Sequence, residues 1–300
     1  MALTMTRYAG HEAVQLDAGA VRLVVTTSVG PRVLGLLTPN GRNAFVELPD
    51  LTLPCPGSDP IHLRGGHRLW AAPEDPRVTY RPDDDPVGVE ELTDGVRLTT
   101  PPDPVAGTSR EVAIRVGGPQ RLTLEHRVVN RADAPQRLAA WAITMLPPGG
   151  RAWLPLLTEP FDPGGFQAQR NLALWSYSRS DDPRFVIADA AIEVRTGAVE
   201  AMAQAEPFKV GTSMRRGWIA HWRDGVLFVK RAQHDERRTY ADMGASAQVY
   251  SHDAFTELET LGPLSDLAPG DAAVHREDWE VHLVDEVEAE RLVSSGELDA

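Results

Sequence analysis

Prolines and glycines are spread along the whole chain and limit how far any helix can run. The 300 residues include 24 prolines and 25 glycines. Proline removes a backbone donor and glycine weakens regular structure, so few windows are long enough for a helix. Short apolar or alternating runs lie between them, which is typical of strands and turns. The sequence therefore predicts a mainly β protein.

The predicted strands recur at the spacing expected of a β-sandwich. They cover residues 13–16, 21–27, 32–37, 87–100, 111–116, 121–129, 137–146, 184–187, 217–222, 226–230, 247–250, 255–261 and 272–283. Residues 285–295 predict a terminal surface helix, and residues 197–204 a weaker one. Residues 49–85 show little alternation, so we expect a long loop excursion from the sheets, of the kind that carries binding chemistry.

Charge and composition limit the classes of partner. The net charge is −13, with 43 acidic and 30 basic residues, which disfavours nucleic acid or an anionic membrane as the main partner. No run approaches the roughly 18 to 20 apolar residues that span a bilayer. The first ten residues lack a basic region followed by an apolar core, so we expect a cytoplasmic protein. The single cysteine, Cys55, excludes a disulfide within one chain.

Two carboxylates lie in a stretch that reads as a strand. Alternation places Phe255, Glu257, Glu259 and Leu261 on one face. Carboxylates beside phenylalanine and leucine are either solvated at an open sheet surface or held in a pocket that shapes their pKa and hydrogen bonding. The second arrangement is a functional site.

A second candidate segment follows a pair of glycines at positions 65 and 66. It places His67, Arg68, Trp70 and Glu74 within ten residues. An imidazole and a guanidinium can hydrogen-bond hydroxyl groups while an aromatic ring covers the C–H face of a sugar. This mixture suits a polyol ligand. Alternatively, Trp70 fills the core and His67 satisfies a loop carbonyl.

Other polar residues lie on apolar strand faces. His126 is either a hydrogen-bonded core histidine or a site residue. Lys230 either reaches the rim of the protein or donates to a bound hydroxyl or carboxylate. His275 and Glu277 share a strand face, where we expect them to pair with one another or with a neighbouring strand.

Metal binding is a further alternative, because His62, His67 and Glu74 are close in sequence and such a set can hold zinc or iron. Their spacing matches no helical His-x-x-x-His template, and the sequence predicts no metal and no cofactor. It also contains no glycine-rich phosphate loop, nucleophile elbow or dinucleotide fingerprint.

Several ordered motifs together resemble a known family. They are residues 65–70 (GGHRLW) with 73–74 (PE), 138–144 (LAAWAIT) with 148–150 (PGG), 217–218 (GW) with 228–230 (FVK), 257–264 (ELETLGPL) with 269–270 (PG), and 275–279 (HREDW). The resemblance is to an uncharacterised bacterial family of the galactose mutarotase-like superfamily, which includes the aldose 1-epimerases. It covers roughly residues 12 to 284.

The resemblance implies a single β-supersandwich domain over residues 1–300 whose concave face binds a carbohydrate ring. In the epimerases a glutamate takes the proton of the anomeric hydroxyl while a histidine protonates the ring oxygen. Glu259 resembles the position of that base, and Glu257 would raise its pKa or bind a hydroxyl. At the position of the histidine that acts as general acid in the epimerases, this chain has Trp141 and its neighbours. The resemblance therefore implies that His67 or His126 would act as the general acid.

Three hypotheses follow. The first is a mutarotase-type enzyme with Glu259 as general base and His67 or His126 as general acid. The residues predicted to hold the ring are Arg68, Trp70, Glu74, Trp141, Lys230 and Glu257. The second hypothesis is a non-catalytic carbohydrate-binding protein on the same fold, and the third is a metal-dependent hydrolase or lyase. The expected partner is a sugar or a sugar derivative, and the oligomeric state is not predicted.

Overall fold

A computed structural model consists mainly of two large antiparallel sheets and describes residues 3–55, 57–160, 162–196 and 207–299. The strands are β1 (Thr4–Tyr8), β2 (His11–Ala18), β3 (Val21–Thr26), β4 (Arg32–Leu37), β5 (Glu47–Leu53), β6 (Ile61–Ala72), β7 (Gly88–Leu92), β8 (Gly95–Thr99), β9 (Thr108–Gly118), β10 (Arg121–Asn130), β11 (Gln136–Leu146), β12 (Gly150–Pro155), β13 (Ala173–Leu174), β14 (Phe185–Ile187), β15 (Ala191–Thr196), β16 (Phe208–Thr212), β17 (Trp218–Arg223), β18 (Val226–Arg231), β19 (Ala247–Ser251), β20 (Thr256–Leu261), β21 (Ser265–Leu267) and β22 (Ala272–Leu283). Helix α1 spans Glu286–Ser295, and short 3-10 turns span Asp242–Gly244 and Glu297–Asp299.

Within the described residues the larger sheet has the strand order β1-β2-β3-β4-β6-β11-β20-β19-β16-β13, with β5 added to β6 and β21 to β11. The smaller sheet has the order β14-β15-β12-β17-β18-β22-β10-β9-β8-β7. Strands β6, β11, β20 and β19 thus lie side by side in the larger sheet. Every functional candidate on them is positioned by the backbone ladder that joins these four strands.

The space between the two sheets holds the main apolar core. Leu23 and Leu69 enter it from the larger sheet, and Leu124, Phe228 and Trp279 enter it from the smaller one. Burying one such side chain contributes about 2 kcal/mol, so this layer drives the two sheets together.

A second apolar cluster covers the opposite face of the larger sheet, which we call the outer face. It includes Trp70, Trp141, Phe255 and Leu261, whereas Leu258 belongs to the core between the sheets. Strand β20 is therefore buried on both sides, and its side chains alternate between the core and the outer face. The alternation predicted for this segment is confirmed.

The predicted excursion over residues 49–85 is wrong in its central part. Strand β6 runs through it and lies between β4 and β11. The alternation is missing from the sequence because both faces of β6 are buried, so charged residues stand on it as well as apolar ones. At Gly66, whose φ is +67°, an added Cβ would lie 2.2 Å from the carbonyl oxygen of Val33. Only glycine fits this approach of β6 to β4.

The predicted terminal helix is confirmed as α1. Asp285 is its N-cap and accepts a hydrogen bond from the Glu288 amide, and Gly296 ends it in the left-handed conformation. Ala289 and Leu292 pack against Trp218 of the smaller sheet. The weaker helix predicted at residues 197–204 lies outside the described residues. No helix of the described chain is both long enough and apolar enough to cross a membrane.

Candidate functional site

Strand β20 presents Glu257 and Glu259 on the outer face of the larger sheet. In the antiparallel ladder Glu259 lies opposite Gln248 of β19, and Glu257 lies opposite Tyr250. Residues directly opposite one another in such a pair point to the same face. The ladder therefore adds an amide and a phenol to the face that carries the two carboxylates.

Glu259 has one fixed carboxylate oxygen and one free one. Its Oε2 atom accepts hydrogen bonds from Lys209 Nζ at 2.7 Å and from Trp141 Nε1 at 2.8 Å. Its Oε1 atom is buried and has no hydrogen-bond partner within the described residues. The Lys209 ammonium also lies 4.8 Å from the ring of Trp141 and 4.6 Å from the ring of Trp175. This arrangement holds the carboxylate rigidly and directs its second oxygen away from the pair.

The pKa of Glu259 is raised to about 7, because burial and the charge of Glu257 together outweigh the opposing effects of Lys209 and of the hydrogen bond from Trp141. A carboxyl group that titrates near neutral pH can both take up and return a proton under physiological conditions. The environment of Glu259 is thus suited to proton transfer.

Glu257 forms a buried ion pair with Arg68, whose NH2 atom lies 2.8 Å from Glu257 Oε1. The guanidinium of Arg68 stacks over Trp70 at 4.1 Å. The Nε and NH1 atoms of Arg68 are buried without a hydrogen-bond partner within the described residues. A second set of polar atoms on this face therefore has unused hydrogen-bonding capacity.

Gln248 is the third residue on the outer face with an unpartnered polar atom. Its Nε2 atom donates to Asp242 Oδ2 at 2.7 Å and to the Ala245 carbonyl at 3.0 Å, which fixes the amide. Its Oε1 atom is buried without a partner among the described residues. Buried polar atoms in folded proteins are nearly always paired. Free acceptors on Glu259 and Gln248 and free donors on Arg68 match hydroxyl groups, which both donate and accept.

Tyrosines lie at the rim of this face. Tyr177 packs against Tyr250 with ring centroids 6.5 Å apart, and Tyr80 donates a hydrogen bond to Glu74. Burial together with the charges of Glu257 and Glu259 holds the pKa of Tyr250 above its usual range. These phenols keep their protons at neutral pH and serve as donors. Of the residues predicted to hold a ring, the structure thus brings together Arg68, Trp70, Glu74, Trp141 and Glu257.

No protein-family model and no curated protein sequence matches the chain, but solved structures do. A candidate aldose 1-epimerase from Escherichia coli K12 is 12% identical, with a TM-score of 0.54 over 94% of this chain and 100% of that chain. A candidate mutarotase from Salmonella typhimurium is 10% identical, with a TM-score of 0.56 over 94% of each chain. A galactose mutarotase-like protein from Lactobacillus casei is 9% identical, with a TM-score of 0.54 over 90% of this chain and 100% of that one.

The chain has the galactose mutarotase-like fold. The predicted mainly β sandwich of this type is confirmed. At such low identity the similarity shows the fold alone.

His67 and His126 lie inside the mutarotase-like sandwich, on the other side of the larger sheet from Glu259. His67 Nε2 is 2.8 Å from His126 Nε2, and His67 Nδ1 is 2.9 Å from Thr144 Oγ1. His126 Nδ1 is 3.2 Å from the His275 carbonyl oxygen, to which only an N–H can donate. Burial holds the pKa of both imidazoles below the usual value. The structure does not bring either histidine together with Glu259, because the backbone of the sheet separates them.

Lys230 also lies between the sheets, at neither the rim nor the outer face. Its Nζ atom is 2.7 Å from Glu277 Oε1 and donates to the carbonyls of Ala142 and Leu258 at 3.1 Å. The ring-holding role predicted for Lys230 therefore does not fit its position. The expected pairing of His275 and Glu277 takes place through Thr260, which contacts both side chains.

The metal set considered from the sequence is not assembled. His62 Nδ1 lies 3.3 Å from Asp84, His67 is interior and Glu74 is exposed beside Tyr80. Among the described residues, the ligand atoms of His67, His126 and Glu277 lie within 4.8 Å of one another. Both oxygens of Glu277 already accept hydrogen bonds, from Thr260 and from Trp279. We interpret this cluster as a satisfied hydrogen-bond network.

Sequence reasoning missed Lys209, Gln248 and Trp175. The chain has two lysines, and this scarcity drew attention to Lys230 but applies equally to Lys209. Lys209 lies between Phe208 and Val210, both of which enter the core. That alternation would have placed its ammonium on the outer face. Gln248 and Trp175 carry no such signal.

Proposed function

We propose that this protein binds a carbohydrate-type small molecule on the outer face of the larger sheet and acts on its ring by proton transfer through Glu259. The observation that carries the proposal is the buried, unpartnered Oε1 atom of a carboxylate whose other oxygen is fixed by Lys209 and Trp141. The names of similarly folded proteins, which include aldose 1-epimerase and mutarotase, support a sugar ligand.

In this proposal Glu259 Oε1 takes the proton of the anomeric hydroxyl. Arg68 and Gln248 receive neighbouring hydroxyls with their free donors and acceptor, and Trp70 and Trp141 offer apolar faces to the ring. The pKa of Glu259 near 7 leaves a large ionised fraction at neutral pH. General-base catalysis of this kind contributes roughly a hundredfold to ten-thousandfold in rate.

Opening the ring also requires a proton on the ring oxygen, and we assign this role to Lys209. The anomeric and ring oxygens of a sugar are bonded to the same carbon, so one compact acid–base pair can reach both. The Lys209 ammonium lies 2.7 Å from Glu259. When it gives up its proton while Glu259 gains one, the pair stays neutral overall, which keeps the cost of the transfer low in a buried site.

The test is exchange spectroscopy of sugar anomers by nuclear magnetic resonance, after a melting-temperature screen has identified a ligand. We expect Glu259→Gln to slow the exchange at least about a hundredfold. Glu91→Gln, an exposed change on strand β7 of the smaller sheet, is the matched control and keeps the parent rate. Equal exchange with the parent and with Glu259→Gln would refute the role of Glu259.

Binding without turnover is the second candidate function. It is favoured by the position of His67 and His126, since neither predicted acid reaches the outer face. In that case the parent protein binds a sugar but exchanges no anomers. Glu259→Gln then weakens binding and changes no rate.

A further inference from the structure

A cavity of about 590 Å³ lies beside the outer face and is lined by an unusual set of charges. Arg170, Arg215, Arg238 and His234 contribute to its wall, together with Asn171 and Tyr240. None of the described residues that line it is an aspartate or a glutamate. The lining therefore carries three arginines and no carboxylate, although the net charge of the chain is −13.

The arginines of this cavity are held mainly by neutral groups. Arg170 Nε donates to the Leu157 carbonyl at 2.8 Å, and Arg238 NH2 donates to Ser265 Oγ at 3.3 Å. Arg215 NH1 donates to the Gln169 carbonyl at 3.1 Å, and its Nε lies 3.2 Å from Glu236. Each guanidinium group thus has at least one hydrogen bond to a neutral group.

Three other arginines of the chain each meet an aspartate instead. Arg179 and Arg184 each lie 2.7 Å from one, and Arg237 lies 3.0 Å from Asp235. Their charges are balanced locally. Arg170 has no carboxylate partner among the described residues, whereas the charge of Asp235 acts on Arg238.

The remaining walls of the cavity are well defined. The His234 ring stacks on Tyr240 with centroids 4.4 Å apart, and its Nδ1 is 2.8 Å from Ser246 Oγ. The turn at Asp242, Met243 and Gly244 has positive φ at all three residues, 52°, 58° and 85°. Left-handed backbone at two residues that are not glycine costs free energy, and such strain clusters at ligand sites. Asn171 Nδ2 donates to the Met243 carbonyl and ties this turn to the arginine-bearing segment.

We propose that this cavity binds the phosphate or carboxylate group of a small metabolite. The planar guanidinium group recognises both anions through paired hydrogen bonds, and the volume is that of a small-molecule site. The cavity is separate from the Glu259 face but adjoins it, because Asp242 in its turn holds the Gln248 amide that faces Glu259. The inference does not depend on the proposed function.

The test is calorimetric titration of the full chain with inorganic phosphate, a hexose 6-phosphate, a hexuronic acid and the neutral hexose. We expect at least one of the three anions to bind, and Arg170→Gln and Arg238→Gln each to raise its Kd about tenfold or more. Arg179→Gln removes the same charge from a side chain outside the cavity that is 73% exposed and paired with Asp181, so it leaves the Kd within about twofold.

Absence of binding by all three anions, or equal Kd values for the parent and both cavity variants, would overturn the proposal. Glu259→Gln separates this inference from the proposed function. Anion binding that persists in Glu259→Gln supports a cavity that acts on its own. Tighter binding of the hexose 6-phosphate than of phosphate, lost in Glu259→Gln, supports one ligand that spans the cavity and the outer face.

Discussion

Replacing Lys230 with methionine tests how much the buried ion pair between Lys230 and Glu277 contributes to stability. The Lys230 ammonium and the Glu277 carboxylate are both fully buried and lie 2.7 Å apart. Methionine fills a similar volume, so little cavity forms, but Glu277 keeps its charge without its cation. Removing one partner of a buried ion pair typically costs about 3 to 5 kcal/mol. We expect Lys230→Met to lose this amount of unfolding free energy at pH 7.5, measured by urea denaturation.

The pH dependence of that loss has a defined sign. Burial alone would raise the pKa of Glu277, but Lys230 and the nearby histidines His126 and His67 outweigh it and hold the pKa below its ordinary value of 4.5. The parent therefore gains stability from Glu277 above that value and loses it as the pH falls through the folded-state pKa. In Lys230→Met the main cation is gone and the pKa of Glu277 rises. The gap in stability between the variant and the parent then narrows as the pH is lowered from 7.5 to about 5.

The double variant Lys230→Met/Glu277→Gln is the control. It removes both charges of this buried pair, and the amide keeps Thr260 and Trp279 as neighbours. We expect it to be more stable than Lys230→Met at pH 7.5, and it remains informative if the single variant does not fold. A loss of less than about 1 kcal/mol in Lys230→Met, or no recovery in the double variant, would refute the ion-pair reasoning.

Three further outcomes are expected. Because a base must be ionised, the rate of anomer exchange should rise with pH through about 7, the pKa to which burial and the charge of Glu257 raise Glu259. Trp141→Phe removes a hydrogen-bond donor to the ionised form of Glu259, so the midpoint of the pH–rate profile should shift to higher pH. An unchanged or lower midpoint would contradict this. Asp285→Ala removes the N-cap of α1 and should lower the free energy of unfolding by about 1 kcal/mol. This loss should appear as a melting temperature lower by about 2 to 4 °C. An unchanged melting temperature would argue against the cap. Gly66→Ala places a Cβ 2.2 Å from the Val33 carbonyl and should destabilise the fold by more than about 2 kcal/mol, measurable by denaturant unfolding; a stable variant would show that β4 and β6 can move apart.

Several strands were readable from the sequence. Residues 32–37 were predicted as a strand with the bounds observed for β4, and the alternation of residues 255–261 correctly grouped Glu257 with Glu259. Strand β6 was not predicted, because its charged residues, glycines and apolar residues follow one another without a period of two. Strand β16 was missed as well, since Lys209 and Gly211 interrupt a run of only five residues.

The missed strand β6 accounts for the misplacement of His67 as the acid. Seen as a loop, the segment after Gly66 gathers His67, Arg68 and Trp70 into a single cluster. As a strand it sends His67 into the core and sends Arg68 and Trp70 to the outer face. The error lay in the assumption that the three residues act together.

The sequence by itself determined the mainly β composition, the terminal helix and the pairing of two carboxylates on one strand face, because each follows from the conformation of a short stretch of chain. The tertiary structure decided which lysine meets which glutamate. Lys209 reaches Glu259 from a strand 50 residues away, and Lys230 reaches Glu277 between the sheets. Both contacts depend on which strands pair and on which face of each strand is buried. Strand pairing and burial follow from the packing of the whole sandwich, in which strands far apart in sequence must satisfy one another's buried charges.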